Sequence, residues 1–296
     1  MTVDAHHHVW DLSVRDQDWL TAPALRPLRR NFAITDLEPV AAAAGVDRTV
    51  LVQTVTVAEE TPELLALAEH SALVAGVVGW TDLTRPDVAD ELARLRELPG
   101  GSRLRGIRHQ VQGERDPGWL LRPDVRRGLA AVADAGLVYD LVVLPSQLPA
   151  CARAAADHPG LVLVLDHLGK PPIASGALDP WAGAVRELAA LPDTVCKLSG
   201  LVTEADPARR TPDDLRPYAD TVLEAFGPER TMFGSDWPVC TLAAPYGEVL
   251  RTARELTAGL GESERRSVFT GTAERVYRLG PPPGASSVVT TPAPSR

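Results

Sequence analysis

The sequence predicts a single α/β domain folded as a (β/α)8 barrel of the TIM type, and three observations predict it. Eight short segments rich in Val, Ile and Leu are each followed by a polar turn and a stretch of helical composition. The strand segments are mostly continuous apolar runs, as parallel strands buried on both faces require. No linker or composition break divides the chain before its C-terminal tail. Eight such units need roughly 250 residues, which fits one closed barrel.

The predicted elements follow in order along the chain. The strands are 3–9, 49–55, 74–80, 104–110, 137–144, 161–167, 194–200 and 231–236. Stretches rich in Ala, Leu and Arg lie between them, and several carry proline in the first turn, where its missing N–H costs nothing. The predicted helices include 62–70, 86–98, 123–135, 149–156, 180–191 and 212–226.

A doubly wound open sheet is the alternative architecture. It is disfavoured because no Gly-x-Gly-x-x-Gly follows a predicted strand, and the Gly-rich segment 99–101 precedes one and is interpreted as a turn. We therefore assign residues 1–279 to a single (β/α)8 barrel domain. Residues 280–296 are low in complexity and rich in proline, and we expect this tail to be disordered.

Charge, apolar patterning and cysteine content exclude several classes of protein. The 39 acidic and 30 basic residues give a net charge of −9 without a basic block, so we predict no nucleic-acid partner. Unbroken apolar stretches are far shorter than the roughly 20 residues that cross a bilayer, which predicts no membrane partner. Three widely spaced cysteines indicate free thiols. The first residues lack the pattern of a secretory signal, so we expect a cytoplasmic protein, and its oligomeric state stays open.

Polar residues at the predicted strand ends are the candidates for chemistry, because barrel enzymes carry their sites at the C-terminal ends of strands. His6 and His8 are two positions apart on the first strand and therefore share a face. The sixth strand ends in Asp166 and His167, of which regular alternation lets only one enter the barrel mouth. The eighth strand ends at Asp236. Taken singly, each signal also fits a solvated loop residue or a turn cap.

Two further strands end in basic residues. The fourth ends in Arg108 and His109, and an outward salt bridge is the alternative role for the arginine. Lys170 and Lys197 are the only lysines among the 30 basic residues of the sequence. Since arginine fills the ordinary surface roles, these two lysines are candidates for a specific task, with chance as the alternative. Lys197 lies on the seventh strand and shares a face with Ser199.

Five segments taken together resemble the amidohydrolase superfamily, and within it the amidohydrolase-2 group of sugar-lactone hydrolases. They are Val-Asp-Ala-His-His-His-Val-Trp from position 3, Arg-Gly-Ile-Arg-His from 105, Asp-His-Leu-Gly-Lys-Pro from 166, Lys-Leu-Ser-Gly-Leu from 197 and Phe-Gly-Ser-Asp-Trp-Pro from 233. These segments run in order through nearly all of the predicted barrel.

The resemblance implies a site at the barrel mouth formed by His6, His8, His167 and Asp236. Three imidazoles and one carboxylate suit one divalent metal, zinc first among the candidates, with a position open for water. Metal-independent hydrolysis, with the histidines as hydrogen-bond donors, is the alternative. The fourth and fifth strands lack the bridging lysine of two-metal members, so we expect one ion rather than two. Asp236 is the expected general base and His167 a second catalytic residue.

The resemblance also implies the substrate contacts and the reaction. Arg108, His109 and Lys197 are expected to bind substrate, with a supporting contact behind the site residues as the alternative for Lys197. Trp10 and Trp237 are expected to wall the ring of the substrate, with core packing as the alternative for both. The predicted reaction is hydrolysis of a small lactone, namely a five-membered sugar aldonolactone. A neutral, hydroxyl-rich substrate is expected because few cations lie at the strand ends. The alternatives are a non-oxidative decarboxylase of an unsaturated carboxylic acid and a non-catalytic ligand-binding barrel.

Overall fold

The computed structural model describes residues 1–280, and in that part of the chain eight parallel strands form a barrel. The strands are β1 Val3–His7, β2 Arg48–Val52, β3 Val74–Gly79, β4 Leu104–His109, β5 Val138–Leu141, β6 Leu163–Leu165, β7 Thr194–Leu198 and β8 Thr231–Phe233. Each strand pairs with the next in chain order. The predicted (β/α)8 fold class is confirmed. The predicted tail lies outside the described residues from position 281 onward.

Backbone hydrogen bonds close the ring between β8 and β1. The N–H of Asp236 donates to the carbonyl of His6 at 2.8 Å, and the N–H of His8 donates to the carbonyl of Trp237 at 2.7 Å. These bonds lie just beyond the end of β8, where the chain has already left the strand. The seam of the barrel is therefore formed by the segments that carry the candidate site residues.

Helices surround the barrel. Within residues 1–280 they are α1 Ile34–Ala44, α2 Glu60–His70, α3 Val88–Glu97, α4 Pro123–Asp134, α5 Leu148–Asp157, α6 Trp181–Ala189, α7 Leu201–Glu204, α8 Pro212–Phe226, α9 Tyr246–Leu256, α10 Glu262–Arg266 and α11 Thr272–Val276. The six predicted helices are present with ends within two residues of the prediction. α8 begins as predicted because Pro212 occupies its first turn and Thr211 and Asp214 form a capping box. In this part of the chain, no helix combines the length and the apolarity that crossing a bilayer requires.

The predicted strands run one to three residues past the observed C-terminal ends. The excess residues belong to the barrel mouth, where the chain bends away from its neighbour towards the next helix. Two of them adopt left-handed backbone, His167 with φ of 52° and Asp236 with φ of 58°. Apolar composition predicts which residues are buried, but it does not mark the residue at which ladder hydrogen bonding stops.

The apolar core has two parts. One fills the space between the strands and the helices. The other lies inside the barrel, where Val50, Val78 and Val164 pack with Val276 and Leu279 from the C-terminal end of the described chain. Burial of each such aliphatic side chain contributes roughly 1.5–3 kcal/mol to folding. α11 and the residues after it thereby close one end of the barrel and leave the other end for the site.

An irregularity in β1 decides which histidines enter the barrel. The pairing of β1 with β2 shifts register between Asp4 and His7. Val3 and Ala5 face the inner apolar cluster, and after the shift His6, rather than His7, contacts the buried groups inside the barrel. His7 is left without a side-chain hydrogen bond in the described chain, and burial, with a smaller effect of neighbouring His8, lowers its pKa to about 3. The bulge in β1 therefore directs the side chain of His6 into the barrel.

Candidate active site

Three histidine rings and one carboxylate converge at the C-terminal end of the barrel. The Nε2 atoms of His8, His6 and His167 lie 3.5, 3.7 and 3.9 Å from Oδ1 of Asp236. The Nε2 atoms of His6 and His8 are 3.1 Å apart. All four side chains are buried. The structure therefore brings the four residues of the predicted centre together around one carboxylate oxygen.

Two glycines let the chain adopt the backbone that this convergence needs. Left-handed φ values at non-glycine residues such as His167 and Asp236 cost about 1–3 kcal/mol each and persist only where the surroundings impose them. A Cβ on Gly200 would fall 2.8 Å from Cβ of His167, and a Cβ on Gly234 would fall 2.8 Å from Cβ of His6. Larger residues at either position would push a histidine away from the centre.

The expectation that only one of Asp166 and His167 could enter the mouth is wrong. The left-handed turn at His167 ends the regular alternation, so both side chains face the interior. Oδ2 of Asp166 accepts a hydrogen bond from Nη1 of Arg108 at 2.9 Å. Its Oδ1 lies 3.3 Å from Nδ1 of His6. Arg108 is consequently an inward residue, not part of an outward salt bridge.

Two of the rings are held through Nδ1, which leaves Nε2 for the centre. Nδ1 of His8 lies 2.7 Å from the carbonyl oxygen of Val52, and Nδ1 of His167 lies 2.9 Å from Oγ of Ser199. Because a carbonyl oxygen only accepts, neutral His8 carries its proton on Nδ1 and presents a lone pair from Nε2. That tautomer suits a metal ligand better than a hydrogen-bond donor.

A buried chain of charges lies beneath the histidines. Arg108 pairs with Asp166 at 2.9 Å, Lys197 bridges Asp166 at 2.9 Å and Asp140 at 2.5 Å, and the hydroxyl of Tyr277 donates to Asp140 at 2.8 Å. Two cations balance two carboxylates, as buried ions require. Lys197 is fully buried and already paired with both carboxylates, so the structure does not bring it to the cavity as a substrate contact.

Burial sets the protonation of the centre. It lowers the pKa of His6 well below its usual value, with the ammonium of Lys197 acting in the same direction. Burial also lowers the pKa of His167 to about 4. Burial opposes ionisation of Asp236, but His167 and His8 outweigh it and lower the pKa of that carboxyl. At neutral pH this gives neutral His6 and His167 beside an ionised Asp236, which is the protonation state that binds a divalent cation.

A cavity of about 280 Å³ opens above the centre. Its floor consists of one guanidinium, two imidazoles and the carboxylate of the centre, from Arg108, His8, His167 and Asp236. Apolar side chains from the loops after β1 and β8 form one part of its wall: Trp19, Leu25, Val239 and Leu242. Amides and a charged pair form another part: Gln110, Gln112, Lys170 and Glu204. The cavity therefore offers polar and apolar surfaces to a ligand of the size of a single ring.

His109 lies away from this cavity. Its Nδ1 accepts a hydrogen bond from Nε1 of Trp80 at 3.0 Å, and its Nε2 lies 2.8 Å from Oε1 of Glu114. Its ring stacks on Trp119 with 4.2 Å between ring centroids. Both nitrogens and one face of the ring are thus occupied by the protein, so the structure does not support the predicted substrate contact.

The two predicted tryptophans are also absent from the cavity wall. Trp10 and Trp237 both pack on Phe32, with ring centroids 5.1 and 5.6 Å away. Nε1 of Trp10 donates to the carbonyl of Arg30 at 2.8 Å. Core packing, the alternative considered for them, describes both residues. The aromatic side chain in the wall is Trp19, which the sequence analysis missed.

Three of the residues that the sequence analysis missed follow predicted strands, a position that can be recognised in the sequence. Trp19 lies in the long connection between β1 and α1, Gln112 follows β4, and Glu204 follows β7. Loops after barrel strands carry functional residues often enough that polar and aromatic side chains there are candidates. Asp140 is a carboxylate within an otherwise apolar strand, and that contrast is also a usable signal.

Comparisons with known proteins agree with this geometry. Residues 3–279 match the amidohydrolase family. An L-fucono-1,5-lactonase from Burkholderia multivorans is 42% identical, covering 96% of this chain and 98% of the relative. A crystal structure of an amidohydrolase from Burkholderia multivorans with bound zinc is 41% identical with a TM-score of 0.88, covering 95% of this chain and 100% of that one. A 2,6-dihydroxybenzoate decarboxylase has a TM-score of 0.64 over 94% of this chain and 99% of that one, and its 14% identity shows the fold alone. The chain belongs to the amidohydrolase family.

Proposed function

We propose that the protein hydrolyses a small sugar lactone, opening an aldonolactone ring to the free acid. The observation that carries this proposal is the arrangement of three histidine Nε2 atoms within 3.9 Å of Oδ1 of Asp236, at the floor of a cavity of about 280 Å³. That floor combines a site for electrophilic activation of a carbonyl with a carboxylate base. The nearly full-length similarity to an L-fucono-1,5-lactonase supports the substrate class.

The residues of the centre fit one divalent cation, for which we propose zinc. Ligand atoms of His6, His167 and Asp236 lie within 4.8 Å of one another, and three protein ligands with one open position are the pattern of catalytic zinc sites. His8 is the fourth residue that we propose at the ion, beside His6. The 3.1 Å between Nε2 of His6 and Nε2 of His8 is close to the about 3.3 Å that separates two tetrahedral ligands of zinc. The zinc-bound relative supports this choice. Lys197 is held by two carboxylates, which argues against its use as a bridge between two ions.

The cation and the residues of the centre have separate roles in the proposed reaction. A cation held at the centre supplies Lewis acidity, which polarises a carbonyl. Asp236, ionised at neutral pH, takes the proton of the attacking water and returns it to the ring oxygen as that oxygen leaves. His167 lines the cavity with its Nε2 3.9 Å from Oδ1 of Asp236, so as the second catalytic residue it would contact the bound ring beside the base.

Metal-independent hydrolysis would need histidine N–H groups that point at the carbonyl. Neutral His8 does not offer one, because its Nδ1 donates to the carbonyl of Val52. His167 is neutral at pH 7 because burial lowers its pKa to about 4, so it carries a single N–H, on Nδ1 or on Nε2. The tautomer of His8 therefore favours the metal-assisted reaction over the metal-independent alternative.

The test is a substrate panel with two readouts. Purified protein is incubated with L-fucono-1,5-lactone, a muconolactone and 2,6-dihydroxybenzoate, and both acid release and CO₂ are measured. We expect acid release from the sugar lactone, its loss after dialysis against a chelator, and its recovery on addition of Zn²⁺. Release of CO₂ from the aromatic acid, without hydrolysis of any lactone, would overturn the proposal in favour of a decarboxylase.

A further inference from the structure

We propose that Lys170 and Glu204 form a hydroxyl-binding pair that selects uncharged, polyhydroxylated rings. This inference rests on the proposed lactonase function and deepens it by naming a specificity-determining subsite. Both side chains line the cavity above the histidine centre, and the Nζ atom of Lys170 lies 3.8 Å from Oε1 of Glu204.

The position of Lys170 is fixed by the same turn that positions the centre. It follows His167 by three residues and adopts left-handed backbone with φ of 54°. Its side chain is 25% exposed, which leaves the ammonium accessible from the cavity. Lys170 and Lys197 are the only lysines of the sequence, and both are found at the site, one in the cavity wall and one beneath the histidines.

The position of Glu204 is also tied to the centre. It is the last residue of α7, and that helix starts directly after Gly200, which packs against His167 because it lacks a Cβ. Within residues 1–280 the carboxylate of Glu204 has an ion pair with Lys170 but no hydrogen bond, since 3.8 Å exceeds hydrogen-bond length. Its acceptor capacity is consequently left for a ligand in the cavity.

This pair matches vicinal hydroxyl groups. A carboxylate can accept hydrogen bonds from two neighbouring hydroxyls, and an ammonium can donate to their oxygen atoms. Hydrogen bonds to charged groups are stronger than those between neutral groups, so the pair would hold a hydroxylated ring firmly. Burial raises the pKa of Glu204, and the nearby ammonium of Lys170 opposes that shift.

The same pair disfavours substrates that carry a carboxylate. The charges of Lys170 and Glu204 compensate each other, and the guanidinium of Arg108 in the cavity floor is already bonded to Asp166 at 2.9 Å. A ligand carboxylate beside the pair would meet the negative charge of Glu204, while the ammonium of Lys170 is already compensated by that charge. Specificity here includes this repulsive element.

The first experiment compares two lactones that differ in hydroxyl content. Glu204→Gln should lower kcat/KM for L-fucono-1,5-lactone by roughly 10- to 100-fold, the usual loss of a charged hydrogen bond. For δ-valerolactone, which has no hydroxyl groups, kcat/KM should stay within about twofold. Glu187→Gln, at an exposed position of α6, is the matched control and should change neither value. Equal losses on both lactones would indicate a structural role and overturn the proposal.

The second experiment changes the charge of the pair. Glu204→Gln leaves the ammonium of Lys170 uncompensated, so the ratio of kcat/KM for D-glucaro-1,4-lactone, which carries a carboxylate, to that for L-fucono-1,5-lactone should rise at least about tenfold. The double variant Lys170→Met with Glu204→Gln should return the ratio towards the wild-type value. An unchanged ratio in Glu204→Gln would contradict the proposal.

A binding measurement separates the failure of this inference from the failure of the proposed function. The 1,5-lactam of L-fuconic acid resists hydrolysis, and its affinity is measured by titration calorimetry. If wild type binds the lactam and hydrolyses no lactone, the function is wrong, and a roughly tenfold weaker affinity of Glu204→Gln would still support the pair. An unchanged lactam affinity in Glu204→Gln overturns the pair whether or not lactones are hydrolysed. Absence of lactam binding by wild type overturns the pair as well.

Discussion

The two ends of the barrel interior are built from the same strands in opposite ways. At the end closed by α11, inward positions carry Val50, Val78 and Val164, which pack with apolar side chains of the C-terminal segment. Two residues beyond Val138 and Val195 of the same apolar cluster, the inward positions of these strands carry the charged side chains of Asp140 and Lys197. The comparison teaches that the first residues of a barrel strand can stabilise the fold while its last residues form the site.

The two layers meet at one side chain. Tyr277, just after α11, belongs to the apolar cluster, and its hydroxyl donates to Asp140 in the charged layer at 2.8 Å. The charged layer is therefore supported from below by the same segment that closes the barrel. Substitutions in the two layers should therefore differ in their effects on the free energy of unfolding and on activity.

The largest expected effect is the loss of Lys197 from the charged layer. Lys197→Met leaves Asp140 and Asp166 buried without their shared cation, and it should reduce the free energy of unfolding by about 3–5 kcal/mol. Chemical denaturation measures this value. Lys170→Met is the matched control, because its partly exposed ion pair with Glu204 should contribute less than about 1 kcal/mol. Equal stability of the two variants would show that the charged layer does not support the fold.

The second prediction affects activity without affecting the fold. Asp236→Asn should lower kcat at least about a hundredfold, because an amide has nearly the same shape but accepts no proton. The circular dichroism spectrum should match that of wild type. Asp134→Asn, at the exposed end of α4, should keep full activity. Near-normal kcat in folded Asp236→Asn would remove this residue from the role of general base.

The third prediction concerns the apolar layer. Val78→Ala removes two buried methyl groups from the interior of the barrel and should cost about 2 kcal/mol of unfolding free energy. Because Val78 lies below the charged layer, kcat/KM should stay within about twofold of wild type at a temperature where the variant is folded. A large loss of kcat/KM in the fully folded variant would show that the two layers are not separable.

The smallest expected effect tests the junction. Tyr277→Phe removes the hydroxyl that donates to buried Asp140, and it should cost about 1–2 kcal/mol of unfolding free energy. Zinc affinity, measured by competition with a chromogenic chelator, should fall by less than about tenfold because His6 keeps its contacts with Lys197 and Asp166. A larger loss of affinity would mean that the closing segment controls the centre directly.

The strands, the barrel and the face that carries His6 and His8 can be predicted from the sequence, for physical reasons. Continuous Val-rich runs require burial on both faces, so the eight strands and the barrel follow from composition and order. The spacing of His6 and His8 places them on one face, and the structure agrees. Asp166 could not be placed in the same way, because the left-handed turn at His167 depends on the close approach of Gly200, which is distant in sequence.

The misplaced contacts have a different cause. His109 is adjacent to the inward residue Arg108 and therefore faces the other side of the strand. Its partners there, Trp80 and Glu114, cannot be identified from its position at the strand end. Trp10 was predicted at the wall from the resemblance, whereas the long loop that follows brings Trp19 there instead. The conformation of such a loop is set by tertiary contacts, which a local pattern does not contain.

Because β1 and β8 meet at a seam, the site forms only when segments from the two ends of the barrel sequence come together. Ser235 donates its backbone N–H to Oδ1 of Asp4 across 231 residues of sequence, next to the bonds that join His6 and His8 to the segment after β8. Pairings of such separation carry the largest loop-closure entropy and form late in folding. During synthesis the first histidines leave the ribosome long before Asp236 does. A nascent chain therefore carries the histidines of the centre without the carboxylate that they surround, and the centre is complete only when the ring closes.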